Sequence, residues 1–102
     1  MKKIYELPQA RENVANFVYM GNQEHLWITP RGKYYLECDS GMYRMSEYDV
    51  STWVDKAIRA DEKTPYGWFG VCAESEEAAA GVLSLSRYKN TKLLLKEYWR
   101  HA

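Results

Sequence analysis

The chain has 102 residues, 46% of them hydrophobic and 27% charged, with Lys plus Arg and Asp plus Glu equal at 14 each. Such a length suits a single domain over 1–102, and the composition argues against disorder. Zero formal net charge weighs against a dedicated nucleic-acid binder, which carries a positive excess, and apolar runs as short as 93–95 exclude a transmembrane helix.

The aromatic share of 15% is high, with nine Tyr and four Trp against two Phe. Tyr and Trp join an apolar body to a polar handle, so they serve interfaces as well as cores. No apolar segment follows Lys2 and Lys3, so no secretory signal is expected. Cys38 and Cys72 have no close spacing. These features point to a cytoplasmic protein with reduced thiols.

In chain order, Ala10, Val14, Phe17 and Val18 recur at helical steps between Pro8 and Gly21, which predicts a helix over 8–20. Next, "HLWITPRGKYYLEC" reads as a β-hairpin. Pro30 presets the turn and Gly32 suits a left-handed bulge position, so a loop over 30–32 is expected. That loop sets Ile28 opposite Tyr34, Trp27 opposite Tyr35, Leu26 opposite Leu36 and His25 opposite Glu37. Alternation then puts Leu26, Ile28, Tyr34, Leu36 and Cys38 on an apolar face, and His25, Trp27, Tyr35 and Glu37 on a polar one. A two-residue loop at Ser40 and Gly41 would lead into a third strand with Arg44 opposite Glu37 and Met45 opposite Leu36.

Ser46 and Asp49 form a shortened capping box, Met45 and Val50 a hydrophobic staple, and Val50, Trp53, Val54, Ala57 and Ile58 one apolar stripe. A helix over 47–60 follows. "GWFGVCA" (67–73) reads as a buried strand, and Ser75 caps a helix that begins with Glu76 and Glu77. Residues 82–86 read as either helix or strand, with Gly81 weakening the helix. After Asn90 a last helix turns Leu94, Leu95, Tyr98 and Trp99 inward. The expected fold is α+β: a small, mainly antiparallel sheet, made of a three-strand meander plus one further strand, with helices packed on it.

No constellation supports catalysis. His25 and Cys38 fall on opposite faces of the hairpin, two distant Cys and two distant His match no metal-ligand spacing, and each carboxylate pair sits at a helix start or in a polar loop. Neither a cofactor nor a metal is expected. "GWFG" (67–70) spells a Gly-x-x-Gly loop, but Trp68 and Phe69 in a strand make it a coincidence.

Two surface features remain. Trp27 beside Tyr35, with Lys33 and Arg44 in the rim, resembles the aromatic anchors of protein interfaces, unless a helix covers that face and makes both rings core. Lys89, Lys92, Lys96 and Arg100 line one face of the last helix, while 37–62 is acid-rich, so charge is segregated along a neutral chain. The bland reading of that row is a solvated helix face. Together these features suggest a small protein-interaction module (an inhibitor, adaptor or regulatory subunit). The alternative is a nucleic-acid binder that uses the basic row with Trp27 and Tyr35.

Overall fold

The computed structural model describes residues 1–88 and 90–99. The fold is α+β, a six-stranded antiparallel sheet with three helices. In chain order the elements are β1 (Lys2–Ile4), β2 (Glu12–Tyr19), β3 (Asn22–Ile28), β4 (Tyr34–Cys38), β5 (Gly41–Met45), α1 (Glu47–Lys63), β6 (Gly67–Val71), α2 (Glu76–Ser84) and α3 (Thr91–Tyr98). The strands lie in the order β1-β5-β4-β3-β2-β6.

The helix expected over 8–20 is instead β2. A β-bulge between Asn13 and Ala15 explains the misreading. Its extra residue leaves both Val14 and Ala15 fully buried, which breaks the two-residue alternation and imitates helical spacing. Gly21 is no helix cap either. Met20 (φ 51) and Gly21 (φ 86) form a two-residue turn with both central residues left-handed, joining Tyr19 to Asn22 across the β2–β3 hairpin.

The 29–33 loop places Gly32 at φ 80, with Gly32 N–H donating to Thr29 O and Thr29 N–H to Lys33 O. The pairs Ile28–Tyr34, Trp27–Tyr35, Leu26–Leu36 and His25–Glu37 follow. The next hairpin turns at Asp39 and Ser40, one residue earlier than the sequence suggests, so Arg44 faces Tyr35 rather than Glu37, and Met45 faces Tyr34. Gly41 opens β5 at φ 138, a conformation that favours glycine, and the Ser40 hydroxyl bonds Tyr43 OH at 3.0 Å. The change moves partners by two residues, so both face assignments survive.

One face of the sheet carries Phe17, Leu26, Tyr34, Leu36, Met45, Phe69 and Val71 into the core. The helices meet it with Val50, Trp53, Val54, Ala57, Ile58, Val82, Leu83, Leu94 and Tyr98. At its centre Trp53 meets Phe17 and Phe69 edge-on, at 6.5 and 5.8 Å between centroids, and Phe69 meets Tyr98 at 5.3 Å. The Trp53 indole N–H donates to Glu24 at 2.7 Å, which satisfies its one polar atom.

Helix α1 begins at the expected capping box: Ser46 Oγ accepts from Asp49 N–H at 3.1 Å and Asp49 Oδ2 from Ser46 N–H at 3.0 Å. It runs one turn beyond Ala60. On α1, buried Asp55 accepts from Ser86 Oγ at 2.7 Å and Arg87 N–H at 2.9 Å, tying the α2–α3 connection to the helix layer.

The strand expected over 67–73 is β6, which ends at Val71 and lies at a sheet edge; Phe69 and Val71 are buried as expected, whereas Trp68 is 42% exposed. The outward groups of β6 are covered: Phe69 N–H donates to Asp61 of α1, and Val71 bridges Trp99. At the other edge β1 is only three residues long and carries two lysines. Both devices discourage pairing with a further strand.

Candidate interaction surface

Among the described residues, no helix packs on the second face of the sheet. Two residue rows cross it. One runs Asn13, Trp27, Tyr35, Arg44, Lys2, and the other Asn16, His25, Glu37, Met42, Ile4. Trp68 lies beyond them on β6, opposite Val18.

Among the described residues, the 5–11 connection lies on this face, with Pro8 and Ala10 beside Tyr35 and Arg44, and Arg11 over Trp27. It joins β1 at one edge to β2, four inter-strand spacings away, or about 19 Å. Seven residues reach roughly 25 Å fully extended, so the path has little slack. Arg11 ends the strap with its guanidinium 4.6 Å from the centroid of the Trp27 ring and Nη1 donating to Pro8 O at 2.9 Å. Trp27 Nε1–H donates to Glu37 at 3.3 Å. Trp27 and Tyr35 are accordingly half-buried, under a strap of chain rather than under a helix.

Beside the strap Pro8, Ala10, Thr29, Pro30, Arg31, Lys33, Tyr35 and Arg44 line a cleft of about 460 Å³ that contains no carboxylate. Lys33 and Arg44 are exposed, and among the described residues no hydrogen bond or ion pair engages the side chains of Arg31, Lys33, Arg44 or Lys2. Four of the sequence candidates, Trp27, Tyr35, Lys33 and Arg44, thus meet in one place. Lys92 and Lys96 do not join them. Both are exposed on α3, which packs against α2 and β6 in the helix layer on the opposite side of the sheet. Lys89 and Arg100 lie outside the described residues.

At the other end of the face sits a polar chain invisible to the helical reading of 8–20. His25 Nδ1 lies 2.6 Å from Asn16 Oδ1, Asn16 Nδ2 donates to Cys72 Sγ at 3.5 Å, and the Cys72 thiol donates to Asn13 Oδ1 at 3.0 Å. Burial is the main cause of a raised Cys72 pKa, which keeps the thiol protonated at neutral pH. Asn16 therefore separates the imidazole Nδ1 from a thiol that is not activated. No group of three or more His, Cys, Asp or Glu is placed to hold a metal ion among the described residues, and no helix there is long and apolar enough to cross a membrane.

Trp68 completes the surface. Its ring lies over Gly70, where a Cβ would sit 2.7 Å from Trp68 Cζ2, and it remains 42% exposed. Met20 and Tyr66, tied by Met20 N–H donating to Tyr66 O at 3.0 Å, are more exposed still at that corner. The sequence signal for this is Gly70, since glycine inside a strand marks close approach of another group, whereas Gly67 makes room for Ala60 of α1.

No family model, curated protein or solved structure matches this chain.

Proposed function

We propose that the protein is a small non-catalytic interaction module, acting as an inhibitor, adaptor or regulatory subunit, and that it binds a partner protein through the face of the sheet opposite its helices. One observation carries the reading. Among the described residues no helix covers this sheet face, and it bears Trp27 beside Tyr35 at one end and the 42% exposed Trp68 at the other, with Met20 and Tyr66 exposed at the Trp68 corner. Trp, Tyr, Met and Arg are the side chains enriched where protein surfaces meet.

Nucleic acid fits this face less well. Base stacking needs a free ring face, but Arg11 covers the Trp27 ring and Tyr35 is half-buried beside the strap. Glu37 occupies the middle of the face, and the exposed lysines of α3 belong to the other layer.

The test is affinity capture from host lysate after nuclease treatment, using the wild type, Trp68→Asp on the sheet face, and Lys92→Glu with Lys96→Glu on α3. A protein partner that is kept by the wild type and the α3 variant but lost by Trp68→Asp is the expected result. Partners lost on nuclease treatment, or lost only with the α3 variant, would contradict the proposal.

A further inference from the structure

The carboxylate-free cleft beside the strap has a more definite chemistry than the rest of the face. Arg31, Lys33 and Arg44 line it together with Tyr35, while Pro8, Ala10 and Pro30 supply apolar walls. Arg44 and Lys2 stand directly opposite each other on β5 and β1, a like-charge pair that costs stability with no acid between them. Glu37, two residues along β4 from Tyr35 on the same face, accepts from Trp27 Nε1–H, and Glu47 and Asp49 line a neighbouring cleft that Lys33 and Arg44 also border. Asp49 is already committed to the α1 capping box.

An arrangement of converging, unpaired cations beside apolar walls is complementary to an anionic group carried on an apolar body. Arg44 offers the planar fork that suits a carboxylate, and Lys33 and Arg31 add charge without demanding one geometry. The strap contributes Pro8 and Ala10 to this open cleft, and the 29–33 loop contributes Thr29, Pro30, Arg31 and Lys33.

We infer that this cleft receives an acidic peptide segment of the partner protein, with an Asp or Glu carboxylate on Arg44 and Lys33 and a neighbouring apolar side chain against Pro8, Ala10 and Pro30. The inference rests on the proposed interaction function and supplies the chemistry of its partner. Charge complementarity selects the occupant: the wall provides positive charge and apolar surface and no acceptor carboxylate. A nucleic-acid strand would use the cations but would gain little from the apolar wall, because Tyr35 is half-buried and Trp27 is covered.

The full chain, labelled with nitrogen-15, is titrated at about 150 mM salt, where exposed charges beyond roughly 8 Å are screened, with a capped peptide GDLEDFG. The neutral peptide GNLQNFG and an oligothymidylate are titrated in parallel. Expected are amide shifts concentrated in 31–35 and at Arg44 with the acidic peptide alone. Arg44→Glu should weaken binding roughly tenfold or more, while Lys92→Glu leaves it unchanged. Both changes are at exposed positions, and unchanged melting temperatures establish that each variant is folded. Shifts equal for the two peptides, shifts at Lys92 and Lys96 as large as those in the cleft, tighter binding of oligothymidylate at these residues, or no shift at all would each overturn the inference. Captured partner that needs Trp68 but tolerates Arg44→Glu overturns this inference alone, whereas partner that tolerates Trp68→Asp overturns the underlying reading.

Discussion

Asp55 tests how the helix layer is held together. It is 6% exposed on α1, and Oδ1 alone accepts from Ser86 Oγ and Arg87 N–H, at 2.7 and 2.9 Å. Its Oδ2 lies 3.7 Å from Arg87 Nε, but that side chain is 66% exposed. Each hydrogen bond to a buried carboxylate contributes about 1.5–3 kcal/mol, whereas an ion pair so open to water is worth less than about 1 kcal/mol. Asp55→Ala leaves Ser86 and Arg87 N–H without their acceptor, and partial access to water at Ser86 softens the loss, giving about 3 kcal/mol. Asp55→Asn can present its amide oxygen at the Oδ1 position. It keeps both bonds at neutral strength and gives up the charge, for about 1 kcal/mol. Urea unfolding followed by tryptophan fluorescence measures both, and amide exchange at Arg87 should accelerate most in the Ala variant. An Ala variant within about 0.5 kcal/mol of wild type, or an Asn variant as damaged as the Ala one, would refute the reasoning.

Three further outcomes follow from particular contacts. Gly70→Ala should drive the Trp68 ring off the strand, since the new Cβ meets Trp68 carbons at 2.7 and 2.8 Å, and the indole emission should red-shift at a cost of about 1–2 kcal/mol. An unshifted spectrum would mean the ring does not lie there. Tyr98, pushed up to about 12 mainly by burial and then by Asp61, Glu62 and Glu97, should ionise last among the tyrosines in an absorbance titration near 295 nm. The unfolded chain loses that proton near pH 10 and the folded chain only near 12, so stability is complete below about pH 10 and falls as pH rises between the two, by up to roughly 2–3 kcal/mol. Tyr98→Phe should flatten that slope. Ser46→Ala should cost α1 about 1 kcal/mol in thermal unfolding. The Ser46 backbone N–H is also the main cause of the lowered Asp49 pKa, so the wild-type cap is at full strength above the ordinary Asp range and fails as pH falls through the depressed value.

What could be read in the sequence was whatever depended on neighbours close in the chain. The α1 cap, its apolar stripe, the 29–33 loop and the pairing of Trp27 with Tyr35 rest on residues a few positions apart, and each stands as expected. What failed depended on distant partners. Val14 and Ala15 look helical because a bulge buries both, and that bulge exists only where β2 pairs with β3 and its Val14 O accepts from Cys72 N–H, far along the chain. Strand β1 carries no strand signal of its own and is held by pairing with β5. Trp68 lies in an apolar run that reads as a buried strand, and such a run does not disclose whether the strand lies inside a sheet or at its edge. The candidate surface was half legible: the hairpin register located Trp27 and Tyr35, but the convergence of Arg31, Lys33 and Arg44 beside Pro8 and Ala10 needed the strap.

The central claim is that a partner protein docks on the sheet face opposite the helices. Gln23 is exposed on that face, opposite Val18 and next to His25, so a photo-crosslinking benzophenone at position 23 samples the surface without entering the core. The same group at position 92 samples α3 on the opposite layer. Irradiation in the host should give a nuclease-resistant protein adduct from position 23 and none from position 92. Adducts from position 92 alone, or none from position 23, would contradict the account.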